Sequence, residues 1–413
     1  MWQVAGFSKG RASPLKPSLA FSHINIERMI PMAQDDQQDT KITMKLLSEP
    51  DIIEAGCLDM EHCIDVMEDQ FKLLSLGDYR LSGKNHNAHG ADMEFPASSP
   101  FPNMPTASAD RRYMAMPAYL GGSYNLAGVK WYGSNIDNRQ HGLPRSIHVI
   151  VLNEPVTGEP LCLMSGNLIS SYRTGAVPAV AVRHLVPADA RTVGIVGPGV
   201  MNKTTLRSML LERPSVDTVK VKGRGKRSLE SFVTYVHEKF PQVKHVEVVE
   251  SIEDAVRGAD IVSVATNENG GIETYPYVKK EWVKPGALLC WPSDANGDEE
   301  PFIDGSFRCV TDLYPMYEDW RDTISRFDEG CGTLGNKWVD MVDDGKMDRG
   351  RVVDLGDILT GKAPGREHDD DVFWFSIGGI PTEDVAWGGT IYRQALEKGL
   401  GQEFTLWDAP ALA

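Results

Sequence analysis

The sequence predicts an α/β protein built from two parts, a Rossmann-type parallel sheet and a separate α+β unit to which the carboxyl-terminal segment returns. Three observations predict it. The stretch Arg191–Asn202, RTVGIVGPGVMN, reads as a short buried strand turning through Gly197 and Gly199 into a helix that starts near Val200. A second strand, Thr218–Lys222, follows about 20–30 residues after the first glycine, the spacing of a βαβ unit. The chain is also too long for one domain: 413 residues suggest two or three. The expected division is 1–43 as a tail or targeting segment, 44–185 as the α+β unit with 365–413 returning to it, and 186–364 as the Rossmann-type domain.

The opening strand and its turn imply a dinucleotide site. Gly197 permits the tight turn, Gly199 lets backbone approach a pyrophosphate, and the free N–H groups of the helix point at the anion. Asn202 stands where a third small residue is usual, so the fingerprint is incomplete. At the end of the second strand, KGRGKRS supplies Lys222, Arg224, Lys226 and Arg227 and no acid. Cations there favour the 2′-phosphate of NADP(H), with NAD(H) as the alternative.

Composition narrows the class. A net charge of −16 argues against a nucleic-acid partner, and the basic cluster therefore reads as local. The six cysteines, Cys57, Cys63, Cys162, Cys290, Cys309 and Cys331, form no C-x-x-C pair, so neither a zinc site nor a disulfide framework is expected. A reduced, cytoplasmic setting fits. No run of apolar residues is long enough to span a membrane.

Residues 1–43 contain no acid before Glu27, carry Lys9, Arg11 and Lys16, and then turn polar, which fits a disordered tail or a transit segment. LLSEPDIIEAG reads as a strand and a capped turn. Leu58–Leu76 places Ile64, Met67, Phe71 and Leu74 at helical spacing. The Pro-, Asn- and Ser-rich segment Gly83–Asp110 exceeds an ordinary loop and suggests an insertion near a site. Its His86 and His89 lack a third ligand nearby, so no metal is expected. MPAYLGGSYNLAGVKWYG gives two strands around a Gly-Gly turn with Lys130 in the second. A lysine in an apolar strand is either an edge charge or a desolvated amine with a lowered pKa.

Ser146–Leu152 and Pro160–Met164 are further strands, and Asn167–Leu185 is a helix bearing Arg173, either a carboxylate grip or a surface charge. Beyond the first βαβ unit, Ala259–Asn267 and Gly286–Trp291 are buried strands that deliver Thr266, Asn267, Ser293 and Asp294 to the carboxyl edge, where open parallel sheets bind ligands. Val372–Ile377 is a strand, and Glu383–Lys398 a final helix expected to pack on the first unit.

In order, the pieces MPAYLGG, GVKW, VLNEPVTGEPL, LISSYRTGAV, GIVGPGV, ADIVSVATN, SDANGDEE, LGDILTGKAPGR and GREHDDD resemble the ornithine cyclodeaminase and mu-crystallin family over about residues 45–400. They are most similar to its branch containing N-(2-amino-2-carboxyethyl)-glutamate dehydrogenase. Met201 in place of a common Gln, and an insertion before Met116, are departures. The resemblance implies a homodimer with an α+β substrate and dimerisation domain. It implies Lys130 and Asp294 as catalytic residues, and Arg80, Met116, Lys130 and Arg173 as substrate-binding. Arg112 rivals Arg80 because the insertion blurs the match. Cofactor-binding residues would be Thr174, Gly197, Gly199, Val200, Met201, Arg224, Lys226, Arg227, Thr266, Asn267 and Ser293.

The chemistry expected from these residues is hydride transfer at the α-carbon of an amino acid through an imine. Arginines would hold the carboxylate, while Lys130 and Asp294 would manage protons. Return of the hydride after cyclisation would convert ornithine to proline and ammonia. Net transfer would instead make a dehydrogenase or imine reductase acting on an N-substituted amino acid. A cofactor-holding, crystallin-like binding protein is the reading from another class.

Overall fold

The computed structural model describes residues 40–108, 110–266 and 271–412. Nearly all of the expected tail, and Asn267, lie outside the described residues.

The chain begins with β1 (Ile42–Leu47) and α1 (Glu49–Ala55), whose start is fixed by a capping box between Ser48 and Asp51. Asp59 caps α2 (Met60–Leu76), which buries Ile64, Met67, Phe71 and Leu74 and stops at Gly77 in the left-handed region. Five short and long strands follow: β2 (Tyr79–Leu81), β3 (Ala91–Glu94), β4 (Arg112–Leu120), β5 (Leu126–Ser134) and β6 (Ser146–Asn153). After β7 (Pro160–Ser165) comes α3 (Asn167–Leu185), apolar on most of its surface and largely buried.

The second half alternates. It runs β8 (Thr192–Val196), α4 (Val200–Glu212), β9 (Thr218–Lys222), α5 (Lys226–Lys239), β10 (His245–Val248), α6 (Ile252–Val256) and β11 (Ile261–Val264). A two-strand ribbon of β12 (Tyr277–Val278) and β14 (Asn296–Gly297) brackets β13 (Leu288–Trp291). Then come α7 (Glu300–Asp304), β15 (Phe307–Thr311), α8 (Tyr314–Thr323), α9 (Leu334–Asp343), β16 (Val352–Asp354) and α10 (Leu355–Leu359). The chain closes with β17 (Val372–Ser376), α11 (Pro381–Glu397) and β18 (Gln402–Trp407).

Two large sheets result. The first has the order β18-β1-β7-β6-β5-β4-β2, with β3 also on β4, and is antiparallel except for β1 on β7. The second is parallel, in the order β10-β9-β8-β11-β13-β17-β15-β16. Its order reverses between β8 and β11, which opens a crevice at their carboxyl ends. Its central strands β8, β11, β13 and β17 are buried on both faces and read as nearly continuous apolar runs, whereas β4 alternates in burial along RYMAMPAYL.

One boundary is corrected. The segment from 365 onward was expected to rejoin the first unit, but Val372–Ser376 inserts between β13 and β15 of the parallel sheet. All five residues are buried, a pattern that fits only a strand covered on both faces. The return to the first sheet starts with α11 and ends with β18 pairing antiparallel to β1.

Candidate active site

The site forms where the inner face of the first sheet meets the crevice of the second. Register decides which side chains share that face. Met116 pairs with Lys130 and Arg112 with Ser134 across β4 and β5, while Tyr132 pairs with His148 across β5 and β6. Because side chains alternate with a period of two, Arg112, Met116, Lys130, Tyr132 and His148 point the same way. Arg80 pairs with Tyr119, of the opposite parity, and is exposed; its guanidinium donates to the carbonyls of Gly77 and Tyr79. The choice of Arg80 is therefore corrected: Arg112 is the arginine on the face of Lys130. The alternation in RYMAMPAYL, with Arg112 two and four residues from Met114 and Met116, carried that signal.

Lys130 is buried, and its ammonium lies 2.8 Å from Asp384 Oδ2 and 3.3 Å from Ser170 Oγ. Arg173, on the buried side of α3, donates from Nε to Asp384 Oδ1 at 3.2 Å and from Nη1 to Glu383 Oε2, and its Nη2 lies 3.2 Å from Asp384 Oδ2 as an ion pair. Asp384 thus bridges both cations. The two acids sit in the first turn of α11, where the helix dipole favours negative charge. Burial pulls the Lys130 ammonium down to about 8, helped by the Arg173 charge and opposed by Asp384. Burial, opposed by Arg173, pushes Glu383 up to about 7, whereas for Asp384 the two cations outweigh burial and hold it below the ordinary carboxylate range.

The turn that delivers these acids is itself anchored. Asp312 Oδ2 accepts the N–H groups of Gly378 and Gly379, and Thr382 Oγ1 donates to Gln70. Gly379 has φ 79°, and a Cβ there would come within 2.9 Å of Arg173 Nη1. The sequence places the start of this helix at Glu383 and marks neither acid for the site. The available signal was a Gly-Gly turn, a proline at the first helical position and two adjacent acids directly before the apolar run VAW.

Around this cluster stand two imidazoles. His148 lines the cleft, its Nδ1 buried and, among the described residues, without a hydrogen-bond partner. His89, from the long segment after β2, packs against Trp320 with the rings tilted at 52° and their centroids 4.8 Å apart. Burial, with the Lys130 charge next, lowers both to about 3, so both are neutral at pH 7. His86 is exposed.

Asp294 is half-buried beyond the end of β13, and burial raises its carboxyl against the field of Arg112. Among the described residues it accepts no hydrogen bond, and the carboxylate paired with Lys130 is Asp384. Arg112 itself pairs with Asp110 at 3.0 Å; Arg145 shares that same carboxylate.

Two adjoining clefts meet here. One, of about 710 Å³, runs along Gly197, Pro198, Gly199, Lys222–Gly225, Ser228, Thr266 and Tyr275. The other, of about 480 Å³, is lined by Arg145, His148, Ser170, Thr174, Val200, Met201 and Ser293. Arg139, Gly199 and Thr266 border both. The first fits a dinucleotide. Gly197 has φ 93°, and a Cβ there would overlap the carbonyl oxygen of Ala265. Gly199 faces open space and caps α4 with no side chain, leaving its first N–H groups for an anion. Asn202, in place of the third small residue, is buried beneath the turn, donating to the carbonyls of Val196 and Gly197 and accepting from Ser263. It braces the loop and leaves the phosphate position clear.

Thr266 and Ser293 are tied together, since the Thr266 N–H donates to Ser293 Oγ, which donates to the carbonyl of Val264. Of the basic cluster, Lys222 is turned to the carbonyl of Glu250, Arg224 lines the cleft, and Lys226 and Arg227 lie on the exposed first turn of α5, Lys226 3.9 Å from Glu230.

A family model described as the ornithine cyclodeaminase/mu-crystallin family matches residues 58–399. The chain is 28% identical over 298 residues to the N-((2S)-2-amino-2-carboxyethyl)-L-glutamate dehydrogenase of Staphylococcus aureus, covering 72% of this chain and 82% of that one. It is 26% identical over 348 residues to the alanine dehydrogenase of Archaeoglobus fulgidus, covering 84% and 94%. The structure of Thermococcus litoralis Δ1-pyrroline-2-carboxylate reductase, in complex with NADH and L-proline, superimposes with a TM-score of 0.69 at 26% identity, over 87% of this chain and 99% of that one. Among the described residues no helix is long and apolar enough to cross a membrane.

Proposed function

The chain belongs to the ornithine cyclodeaminase/mu-crystallin family, and we propose that it transfers hydride between a nicotinamide cofactor and the α-carbon of an amino acid, through an imine. We read its net reaction as that of a dehydrogenase or imine reductase whose substrate carries a carboxylate beyond the α-carboxylate. The observation that carries this reading is the number of arginines gathered at the substrate cleft. Arg112, which contacts Asp110 at 3.0 Å and Asp92 at 3.8 Å, stands on the face of Lys130, while Arg139 and Arg145 line the second cleft. One bidentate arginine suffices for one carboxylate. The Staphylococcus aureus relative is named for a substrate of this kind.

The cofactor supplies a hydride donor or acceptor when bound in the cleft along Gly197 and Gly199. The chain's own residues do the rest. Arg112, with the remaining N–H groups of Arg173, holds the α-carboxylate and so fixes the direction of the α-hydrogen. Lys130, its pKa pulled down to about 8 by burial, gives or takes the proton of the substrate nitrogen. Met116, directly across from it, packs the floor of the site. The neutral rings of His89 and His148 offer one donor and one acceptor each to groups on the substrate.

We favour NADP(H) over NAD(H), because Arg224 and Ser228 line the far end of the cleft, the N-cap Gly225 leaves the start of α5 open, and β9 ends without an acid. A homodimer is proposed through the outer face of the first sheet, where Tyr113, Trp131 and Ile147 lie exposed beside half-buried Val129, Val149 and Val151.

Cyclisation of ornithine is the second reading, favoured by Asp294, a carboxylate without a hydrogen-bond partner among the described residues that would receive a side-chain ammonium. Incubation of the protein with NADPH, a dicarboxylic keto acid and an amine tests the choice. Stoichiometric loss of reduced-nicotinamide absorbance supports the reductase, whereas, in a parallel incubation of ornithine with NADP+, release of ammonia without build-up of NADPH supports cyclisation. Neither result, together with cofactor binding that survives Lys130→Met, leaves a binding protein.

A further inference from the structure

We propose that Asp384 is a positioning residue of this site, fixing the Lys130 ammonium and the Arg173 guanidinium relative to each other while Glu383 braces Arg173 from its other edge. The inference deepens the proposed function and rests on Lys130 acting on the substrate.

The geometry is specific. One carboxylate receives three contacts: Lys130 Nζ on Oδ2, and Arg173 on both oxygens through Nε and Nη2. Two ions on separate elements, β5 and α3, are thereby joined through a third, α11. All four charged groups are nearly or fully buried, where an unpaired ion is costly. A lysine has four flexible bonds and no preferred direction of its own, so a fixed Nζ requires a fixed partner. Ser170 Oγ, at 3.3 Å, supplies the second. Asp384 is in turn immobilised by the Gly378–Gly379 turn, which Asp312 grips through two backbone N–H groups.

The arrangement also governs the charge that Lys130 carries. It faces Arg173 from α3, Asp384 and Glu383 from α11, Tyr132 from its own strand, His148 from β6 and His89 from the segment after β2. Both histidines are neutral, so Asp384 is the near counterion that keeps the amine protonated against burial and Arg173. Removing its charge lowers the pKa of Lys130.

The test uses the full-length protein with NADPH bound. The pH dependence of Lys130 acylation by acetic anhydride, read by mass spectrometry of its peptide, gives the amine's pKa without any substrate. In Asp384→Asn that pKa is expected to fall by about one unit or more, the scale of losing a counterion at contact. The basic limb of kcat is expected to move with it, and kcat to fall more than 10-fold while KM changes less. Asp384→Glu, which keeps the charge and moves it, separates position from charge and stands in should the amide variant not fold. It is expected to hold the Lys130 pKa near wild type and still lower kcat. An unmoved acylation profile and kcat in Asp384→Asn, or full activity in Asp384→Glu, would overturn the proposal. Should the acylation profile shift while no amino or imino acid is turned over, the pairing stands and the functional reading fails.

Discussion

Asp384 Oδ2 lies 2.8 Å from Lys130 Nζ, and the same carboxylate holds Arg173, 211 residues before it in the chain. This contact explains why the last helix returns to the first sheet: its amino-terminal turn completes the charge balance of the site. Without that turn, two cations would face the cleft with no buried counterion.

The Lys130 amine is the candidate proton carrier. Lys130→Met should lower kcat/KM by roughly 10²–10⁴-fold, the usual range for a positioned acid or base. Fluorescence titration with NADPH should show little change in cofactor affinity, since the phosphate cradle lies on the other sheet. A matching loss of cofactor affinity would point to misfolding of the site.

Arg112 and Arg80 make opposite predictions. Arg112→Ala should raise KM for the carboxylate substrate, with a loss of about 1.5–3 kcal/mol for a charge-assisted contact. Arg80→Ala, on the other face of the sheet, should leave KM and kcat unchanged. Steady-state kinetics on both variants decides between them.

The two glycines of the turn also separate. Gly197→Ala meets the Ala265 carbonyl in a left-handed backbone and should cost about 1–3 kcal/mol of stability. Gly199→Ala has space around its Cβ, so the protein should fold normally and lose affinity only for the dinucleotide. Thermal melts with and without NADPH distinguish these outcomes.

Glu383 sets a pH dependence of stability. Its folded pKa is raised from the ordinary value near 4.5 to about 7, by burial against the opposing Arg173 charge. A raised pKa means that its contribution is full below pH about 4.5 and is lost as pH rises through about 7. Glu383→Gln, uncharged throughout, should flatten that part of the curve. Urea unfolding of both proteins across this window gives the comparison, and parallel curves would remove Glu383 as the cause.

Most of the fold was legible because both periodicities are strong: the alternation of MPAYLGG and GVKWYG, and the helical stripe from Ile64 to Leu74. The nucleotide crevice was legible from Gly197, Gly199 and the strand at Thr218. The pairing of Lys130 and Arg173 with Asp384 and Glu383 was not, because nothing local in PTEDVAW says which distant cations its acids meet. Arg80 and Arg112 are told apart by the register of β2 on β4, which puts Arg80 opposite Tyr119 on the far face from Lys130. Val372–Ser376 was assigned to the wrong sheet because the parallel sheet was expected to end sooner; it adds three strands beyond β13.

The most direct test of the account is the fate of the hydride. With NADPH carrying deuterium at both C4 positions of the nicotinamide, a keto acid bearing a second carboxylate, and an amine, one deuterium is expected at the α-carbon of the amino-acid product per cofactor oxidised, and none in Lys130→Met. Product without deuterium at that carbon, or oxidation of the cofactor with no amino acid formed, would contradict it.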